Sequence, residues 1–233
     1  MPRRFFDLDP KTWQDLESMV LQAFREMGYE ALGDHELQTV RGNVRIDVWA
    51  KQTRTPIPTI ILCECKYWSK PVPQSVVYAF RAICSDVGAH FGLIISKAGF
   101  QSGASETRQA TNIHLLDFAQ FQETYFEGWK AGIFMQFAQM MDRMIVLTTH
   151  RITGDYPALA EKLVEVQVFD KYGMFFGERS YSKYFIEQGS PPVTVIDPRG
   201  DPRERTRITI LSHREFYEVA CQGFKDAISY FGI

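Results

Sequence analysis

The stretch TIILCECKYW, residues 59–68, places several reactive side chains close together. Side chains alternate between the two faces of a β-strand, so Glu64 and Lys66 share one face while Cys63 and Cys65 share the other. The charged pair is either an ordinary ion pair, which contributes little stability, or part of a site that holds a cation. The spacing therefore predicts a charged pair at an open face and two thiols in the core.

The cysteines do not predict a zinc site. Structural zinc needs about four ligands, and the sequence has neither a Cys-x2-Cys partner nor a His pair to complete the set. The cysteines also lack the spacing of a disulfide framework, so we expect reduced, buried thiols. They are Cys63, Cys65, Cys84 and Cys221.

A second carboxylate lies on the preceding strand. Residues 43–50, NVRIDVWA, alternate between apolar and polar side chains, and Asp47 lies on the polar face. In a hairpin Asp47 would lie beside Glu64, and two carboxylates at short range repel unless a cation or proton lies between them. Mg²⁺ takes one or two carboxylates and keeps several waters. We therefore expect Asp47 and Glu64 to hold Mg²⁺, for which Mn²⁺ can substitute, with the main-chain carbonyl of Cys65 as a further ligand.

Hydrophobic periodicity and turn residues place these side chains on an α-β-β-β-α-β-α-β order. The first helix presents an apolar stripe of Trp13, Leu16, Val20, Ala23, Phe24 and Met27. The predicted helices are 11–28, 73–86 and 103–111, and the predicted strands are 36–40, 43–50, 59–66, 91–96 and 113–117.

The character of the chain changes near residue 117, where an aromatic- and Met-rich helix is predicted. A second, α+β region follows, so we expect a catalytic domain over 1–118 and an extension over 119–233. Its predicted elements are strands at 163–169, 173–178, 192–196 and 206–211 and a helix at 213–231.

The segments RGNVRIDVWA, CECK, VPQSVVYAFRAICSDVGAHFGLIISKAGF and IHLLD together resemble the PD-(D/E)xK nuclease superfamily, specifically the Mrr-type restriction endonuclease catalytic domain. The resemblance covers residues 12–118, with Asp47, Glu64 and Lys66 as the Asp…Glu-x-Lys triad. It implies an α/β fold, a restriction-endonuclease-like core whose mixed central sheet is flanked by helices, followed here by the α+β extension.

The resemblance also implies roles for individual residues. Asp47 and Glu64 would hold Mg²⁺ beside the scissile phosphate, and Lys66 would orient or deprotonate the attacking water and offset developing negative charge. Glu17 matches a carboxylate of the family's first helix, and is equally well interpreted as a solvated helix residue. Gln74 matches a polar Gln of related nucleases. The alternative is that it is polar simply because it stands at the start of a helix.

The implied function is a metal-dependent endonuclease that hydrolyses phosphodiester bonds in DNA, in restriction of foreign DNA. Two alternatives stay open: a non-catalytic nucleic-acid-binding or assembly module on the same fold, and an RNA or junction nuclease. DNA is the expected partner. Because double-strand cleavage usually takes two sites, a homodimer is expected on symmetry grounds.

Composition limits these possibilities only slightly. The 233 residues carry a formal net charge of −2, so the charge as a whole does not indicate nucleic-acid binding. No apolar run approaches the roughly 20 residues of a membrane helix, and no signal peptide is evident, so we expect a cytoplasmic protein. Several cations would either line a DNA groove or be simply solvated: Arg41, Arg45, Arg54, Lys70 and Lys97.

Overall fold

The structure, a computed structural model, describes residues 3–54, 56–106, 112–153, 171–172, 175 and 191–231. Its helices are α1 (Trp13–Glu26), α2 (Gln74–Asp86), α3 (Ser102–Glu106), α4 (Phe118–Thr153) and α5 (His213–Phe231). Its strands are β1 (Glu30–Thr39), β2 (Gly42–Gln52), β3 (Thr59–Lys66), β4 (Phe91–Ser96), β5 (Ile113–Leu116), β6 (Val193–Ile196) and β7 (Arg207–Ile210).

The first five strands form one mixed sheet in the order β1-β2-β3-β4-β5. The pairs β1/β2 and β2/β3 are antiparallel, whereas β3/β4 and β4/β5 are parallel. The parallel pairs require crossovers, which α2 and α3 supply. The predicted α/β core with a mixed sheet flanked by helices is confirmed, including the order of its elements.

Helix α1 packs against the antiparallel half of the sheet. It begins with a capping box, in which the Thr12 hydroxyl accepts from the Asp15 N–H and the Asp15 carboxylate accepts from the Thr12 N–H. Its buried face includes Leu16, Val20 and Phe24. The cap fixes where the helix starts.

The parallel half of the sheet packs against α2. Phe80 and Cys84 of this helix belong to the same buried cluster as Leu62 and Ile94 of the sheet. Gly92 leaves room for the contact, because a Cβ there would lie 2.6–2.8 Å from Ile113, Cys84 and Phe80 atoms. All four cysteines are free, and Cys63 and Cys65 are buried, as their alternation predicted. Cys84 is buried as well, but the expectation of a buried thiol is wrong at Cys221, which is half-buried.

Strand β1 is longer than the extended segment predicted over 36–40. Ala31 is the one fully buried residue in the strand, so its apolar pattern is weak and the pairing with β2 decides its conformation. The pairing passes from Gly33–Val48 to His35–Ile46, and Asp34 between them has φ 45°. The length of this strand therefore could not be predicted from its own sequence.

The chain divides into two compact units, one formed mainly by Leu8–Trp129 and the other by Lys130–Ile233 together with Phe5–Asp7. In the second unit β6 and β7 form an antiparallel hairpin followed by α5, as the sequence predicted. The predicted strand at 163–169 lies outside the described residues. The strand predicted at 173–178 is wrong at Phe175, where the backbone is helical.

The aromatic segment of α4 supplies core residues rather than an exposed face. Phe121, Phe126, Trp129 and Phe137 are all buried. Among the helices of the described ranges, none has the length and apolarity needed to cross a membrane.

Candidate active site

The site lies where β2 and β3 separate. The ladder between these strands runs from Gln52–Thr59 to Val48–Cys63 and stops there. Beyond that point the Cys65 N–H donates to Asp47 Oδ2 at 2.7 Å, so a side chain takes the place of the missing strand partner. The last residues of β3 keep their pairing with β4 on the other side, as in Lys66–Ser96.

The three charged residues of the predicted triad meet at this separation. Lys66 Nζ donates to Glu64 Oε2 and lies 4.0 Å from Asp47 Oδ2. None of the three side chains is more than 26% exposed. The ammonium group therefore lies between two carboxylates in a partly enclosed place, which differs from an ordinary surface ion pair.

A cleft of about 270 Å³ opens beside the triad. Glu17 of α1 lines this cleft. Burial raises the pKa of Glu17 to about 7, and repulsion from Asp47 is the second cause. The predicted approach of the first-helix carboxylate to the cluster is thus observed, while its role stays a prediction. The lining residues are Trp13, Glu17, Asp47, Cys65, Lys66, Tyr67 and Trp68.

The charge states within the triad follow from burial and proximity. Burial, and then the negative charge of Asp47, raises the pKa of Glu64. Burial by itself would lower the pKa of Lys66, but the charge and hydrogen bond of Glu64, together with Asp47, outweigh it and raise this pKa. Lys66 is therefore an ammonium at neutral pH, which suits it to offset negative charge rather than to remove a proton from water.

Gln74 begins α2 and hydrogen bonds to the Tyr78 hydroxyl at 2.7 Å. Its side-chain oxygen also lies 3.2 Å from the place where a Cβ on Gly103 would stand. It is absent from the described residues that line the cleft. The structure therefore does not bring Gln74 into contact with the cleft as it does Glu17.

The donor set suits a hard divalent cation. No three His, Cys, Asp or Glu side chains in the described part of the chain converge into a ready-made metal cage. Asp47 lines the cleft, whereas Glu64 is absent from its described lining and contacts Lys66, which does line it. Both carboxylates would supply oxygens to a cation, and the main-chain carbonyl of Cys65, which lines the cleft, would be a further donor. Two carboxylates with the remaining positions left to water is the usual arrangement for Mg²⁺. The thiols of Cys63 and Cys65 are buried and their pKa values lie well above the usual range, which disfavours thiolate ligation.

The sequence interpretation missed three aromatic side chains at the cleft. Trp13 was placed on the apolar stripe of α1, but it is 54% exposed because it is the first residue of the helix and lies at the mouth of the cleft. Tyr67 and Trp68 follow the Glu-x-Lys motif directly, and this adjacency is the signal that would have found them.

The candidate groove cations have different environments. Arg45 pairs with Asp34 at 2.7 Å, and Arg41 lies 3.4 Å from Asp86. Lys97 Nζ lies 4.0 Å from the centre of the Tyr67 ring, and so stands beside the cleft. Of these cations, Lys97 is the one whose described contact reaches a residue that lines the cleft.

A mixed five-stranded sheet with an Asp…Glu-x-Lys cluster at separating strands defines a restriction-endonuclease-like α/β protein. Residues 8–125 match the sequence profile of the family Mrr_cat, described as restriction endonuclease. Because the match spans just over half of the 233 residues, the chain belongs to the Mrr_cat restriction endonuclease family. The resemblance predicted from the sequence is confirmed.

Three solved structures show similarity to part of the chain. A protein of unknown function, AF1548, is 23% identical with a TM-score of 0.38, over 44% of this chain and 55% of that one. The MspJI restriction endonuclease, solved with a 27-mer oligonucleotide, is 15% identical with a TM-score of 0.32, over 47% and 27%. The DNA modification-dependent restriction endonuclease AspBHI is 12% identical with a TM-score of 0.31, over 54% and 40%.

The chain thus spans 55% or less of the length of each of these proteins. The comparison with curated proteins gives no match.

Proposed function

We propose that the protein is a Mg²⁺-dependent endodeoxyribonuclease that hydrolyses phosphodiester bonds in DNA, in restriction of foreign DNA. The observation that carries the proposal is the convergence of Asp47, Glu64 and Lys66 where β2 and β3 separate. Membership of the restriction endonuclease family supports the reaction class. A homodimer related by a two-fold axis would present two such sites to the two strands of a duplex.

Asp47 and Glu64 would hold the divalent cation, with the Cys65 carbonyl as a further donor. When bound, the cation would supply Lewis-acid polarisation of the phosphoryl oxygen and a lowered pKa for water. Asp47 Oδ2 is engaged by the Cys65 N–H, which fixes the orientation of the carboxylate before any ligand arrives. This preorganisation is the contribution of the chain to binding the cation.

Lys66 would act on the phosphate. Its ammonium is held by Glu64 in the partly enclosed cluster, where an electrostatic interaction is stronger than in open water. Because its pKa is raised, it stays charged and donates hydrogen bonds to a phosphoryl oxygen that gains negative charge as water attacks. Attack by water forms the new P–O bond directly, and the bond to the leaving oxygen breaks without a covalent enzyme intermediate.

Glu17 would orient the attacking water. Its carboxyl lines the same cleft as Asp47 and Lys66. A pKa of about 7 means that it carries a proton on a substantial fraction of molecules near neutral pH. It can therefore hold a proton or accept a hydrogen bond from water at the mouth of the site.

Cleavage of supercoiled plasmid by purified protein with Mg²⁺, Mn²⁺ or EDTA tests this function. The variants are Asp47→Asn, which keeps an oxygen acceptor for the Cys65 N–H, and Lys66→Ala. Lys51→Ala, on the same sheet within β2, is the matched control. We expect cutting that needs metal, vanishes in both site variants and persists in the control.

Retention of cutting in EDTA, or in Asp47→Asn, would contradict the proposal. Folded wild-type protein that binds DNA but cuts no DNA would favour the non-catalytic module. Faster cutting of RNA than of DNA, or of fully paired four-way junctions than of any other DNA, would favour the RNA or junction nuclease.

A further inference from the structure

Two exposed tryptophans stand at the mouth of the cleft. Trp13 from α1 is 54% exposed and Trp68, just after β3, is 43% exposed, and both line the cleft that contains Lys66. Single exposed apolar side chains are common on protein surfaces. This cleft differs from such isolated side chains, because two indoles from separate elements line it. Each indole lies next to the same charged site. We call Trp13 and Trp68 the tryptophan rim.

The rim is held in place by contacts that need no ligand. Trp13 is the first residue of α1, directly after the Thr12 cap. The Tyr67 hydroxyl donates to the main-chain carbonyl of Lys11 at 2.7 Å, which joins the segment that bears Trp68 to the segment that bears Trp13. These contacts fix the backbone from which the two rings project, so binding of a flat ligand has less chain to order.

The rim is adjacent to the groups that would act on phosphate. Lys66 Nζ lies 5.7 Å from the centre of the Trp68 ring. Trp13 precedes Glu17 by four residues on α1, so the two side chains lie on the same helix face. A nucleotide whose phosphate contacts Lys66 therefore has its base within reach of an indole.

A base can stack on an indole only if its face is free. In duplex DNA the faces are covered by neighbouring base pairs, and proteins reach only the edges in the grooves. Proteins that bind single strands combine aromatic stacking with cations along the backbone. Lys97, 4.0 Å from the centre of the Tyr67 ring, supplies such a cation at this cleft.

We propose that the site acts on DNA whose nucleotides next to the scissile phosphate are unpaired, with their bases stacked on Trp13 and Trp68. The inference rests on the proposed nuclease function and names the substrate class of that site. Duplex DNA enters the site only where it is melted or interrupted, as in bubbles, flaps and single-stranded gaps.

The first experiment measures binding without cleavage. Fluorescence anisotropy of a labelled oligothymidine, and of a fully paired duplex of the same length, is recorded in EDTA with the wild type, Trp13→Ala and Trp68→Ala. Phe91→Ala is the matched control, since Phe91 is 42% exposed and lies at the far end of β4, five residues from the strand end that pairs with Lys66.

We expect each tryptophan variant to bind the single strand about tenfold to about a hundredfold more weakly, and the control to bind it as the wild type does. Trp13→Phe and Trp68→Phe keep an aromatic face and should recover part of the loss. Because stacking does not release counterions, the loss should be similar at low and high salt, whereas Lys97→Ala should reduce the salt dependence itself.

The second experiment measures cleavage of three substrates with Mg²⁺: a single strand, a duplex with a central bubble and a fully paired duplex. We expect faster cutting of the first two, and a selective loss of that preference in the tryptophan variants. Equal rates on all three substrates, tryptophan variants that bind like the wild type, or variants that instead change the oligomeric state would each overturn the inference. If the wild type binds the single strand selectively but cuts none of the substrates, base stacking on the tryptophan rim is supported and the nuclease function is refuted.

Discussion

At the scale of single residues, the site is a cluster of carboxylates that one ammonium partly neutralises. The ammonium of Lys66 lies between Glu64 and Asp47 and lowers their mutual repulsion. Glu17 gains less from this ammonium, because burial and the nearby Asp47 both disfavour its ionised form and raise its pKa. The local charge balance therefore depends on pH and on the presence of a cation, and both dependences can be measured.

The Glu17 carboxyl should make the metal-free protein less stable as pH rises. Its pKa of about 7 in the folded protein lies above the ordinary glutamate value of 4.5, so the folded state binds the proton more tightly than the unfolded state. The stabilisation is complete below about pH 4.5 and is lost as pH rises through about 7. In EDTA, Glu17→Gln should melt at a higher temperature than the wild type at about pH 8 and at a similar temperature at about pH 4. Glu30→Gln, at an exposed position of β1, controls for removal of a negative charge. An unchanged melting temperature for Glu17→Gln across this range would refute the argument.

A divalent cation should stabilise the folded protein. A ligand that binds only the native state contributes about 2.7 kcal/mol when its free concentration is about 100 times the dissociation constant. We expect Mg²⁺ and Mn²⁺ to raise the melting temperature of the wild type, and Asp47→Asn to lose most of that rise. Differential scanning calorimetry with and without metal measures it. An equal rise in Asp47→Asn would place the cation elsewhere on the chain.

The triad could be predicted from the sequence because its signal is local. A two-residue spacing puts Glu64 and Lys66 on one strand face, and an alternating strand before them offers Asp47. The exposure of Trp13 could not be predicted, because periodicity assigns a helix face but not where the sheet beneath that face ends. The same limit applies to Gln74, whose contacts depend on how α2 meets α3.

At the scale of elements, the close contact between α2 and β4 depends on a missing side chain. A Cβ on Gly92 would meet atoms of Phe80, Cys84 and Ile113 at 2.6–2.8 Å, which is closer than side chains pack. The backbone of this strand is ordinary, so the reason for glycine is space rather than conformation.

Gly92→Ala should therefore destabilise the protein by overpacking, by about 1–3 kcal/mol. Gly128→Ala is the matched control, since Gly128 lies within α4 and a Cβ there would meet Met27 Sδ at an ordinary 3.5 Å. It should be neutral or stabilising by up to about 1 kcal/mol, because alanine favours helix. Urea unfolding of the three proteins gives the difference. A Gly92→Ala protein as stable as the wild type would show that α2 moves freely on the sheet.

The order of elements in the first unit was predictable because helix and strand periods differ and because Gly and Pro mark the turns. The extent of β1 was not, because nine of its ten residues are exposed or only half-buried and the strand is held by pairing with β2. Pairing between distant segments leaves little trace in a short window of sequence. The error at Phe175 has a different origin, since an aromatic residue in a short apolar run fits strand and helix alike.

At the scale of the whole molecule, the family match and the compact units coincide closely. The matched residues 8–125 fall within the unit formed by Leu8–Trp129. The domain boundary predicted at residue 118 stays a prediction, and α4 begins at that residue. The second unit has its own buried polar anchor in Lys171, which donates to the carbonyls of Arg199 and Asp201 at 2.7 Å each.

Lys171→Met should loosen the loop between β6 and β7. The side chain is almost fully buried, so its loss removes the donor from two carbonyls at a cost of about 1–3 kcal/mol. We expect faster hydrogen exchange at the Gly200 and Arg203 amides. Lys225→Met, at an exposed position of α5, should leave the exchange unchanged. Wild-type exchange at both amides in Lys171→Met would mean that the loop holds its shape without the lysine.

The engagement of Asp47 with the Cys65 amide has a consequence for how this chain can evolve. Under the proposed function Asp47 would serve the reaction, and its side chain also accepts from the Cys65 N–H at the strand end. The described contact of the Lys66 side chain is with Glu64, not with the backbone. A lineage that gave up cleavage would therefore tolerate drift at Lys66 early, while Asp47 would be kept or exchanged only for Asn, which also offers an oxygen to the amide. In descendants of this protein that have lost cleavage, Asp47 should be retained longer than Lys66.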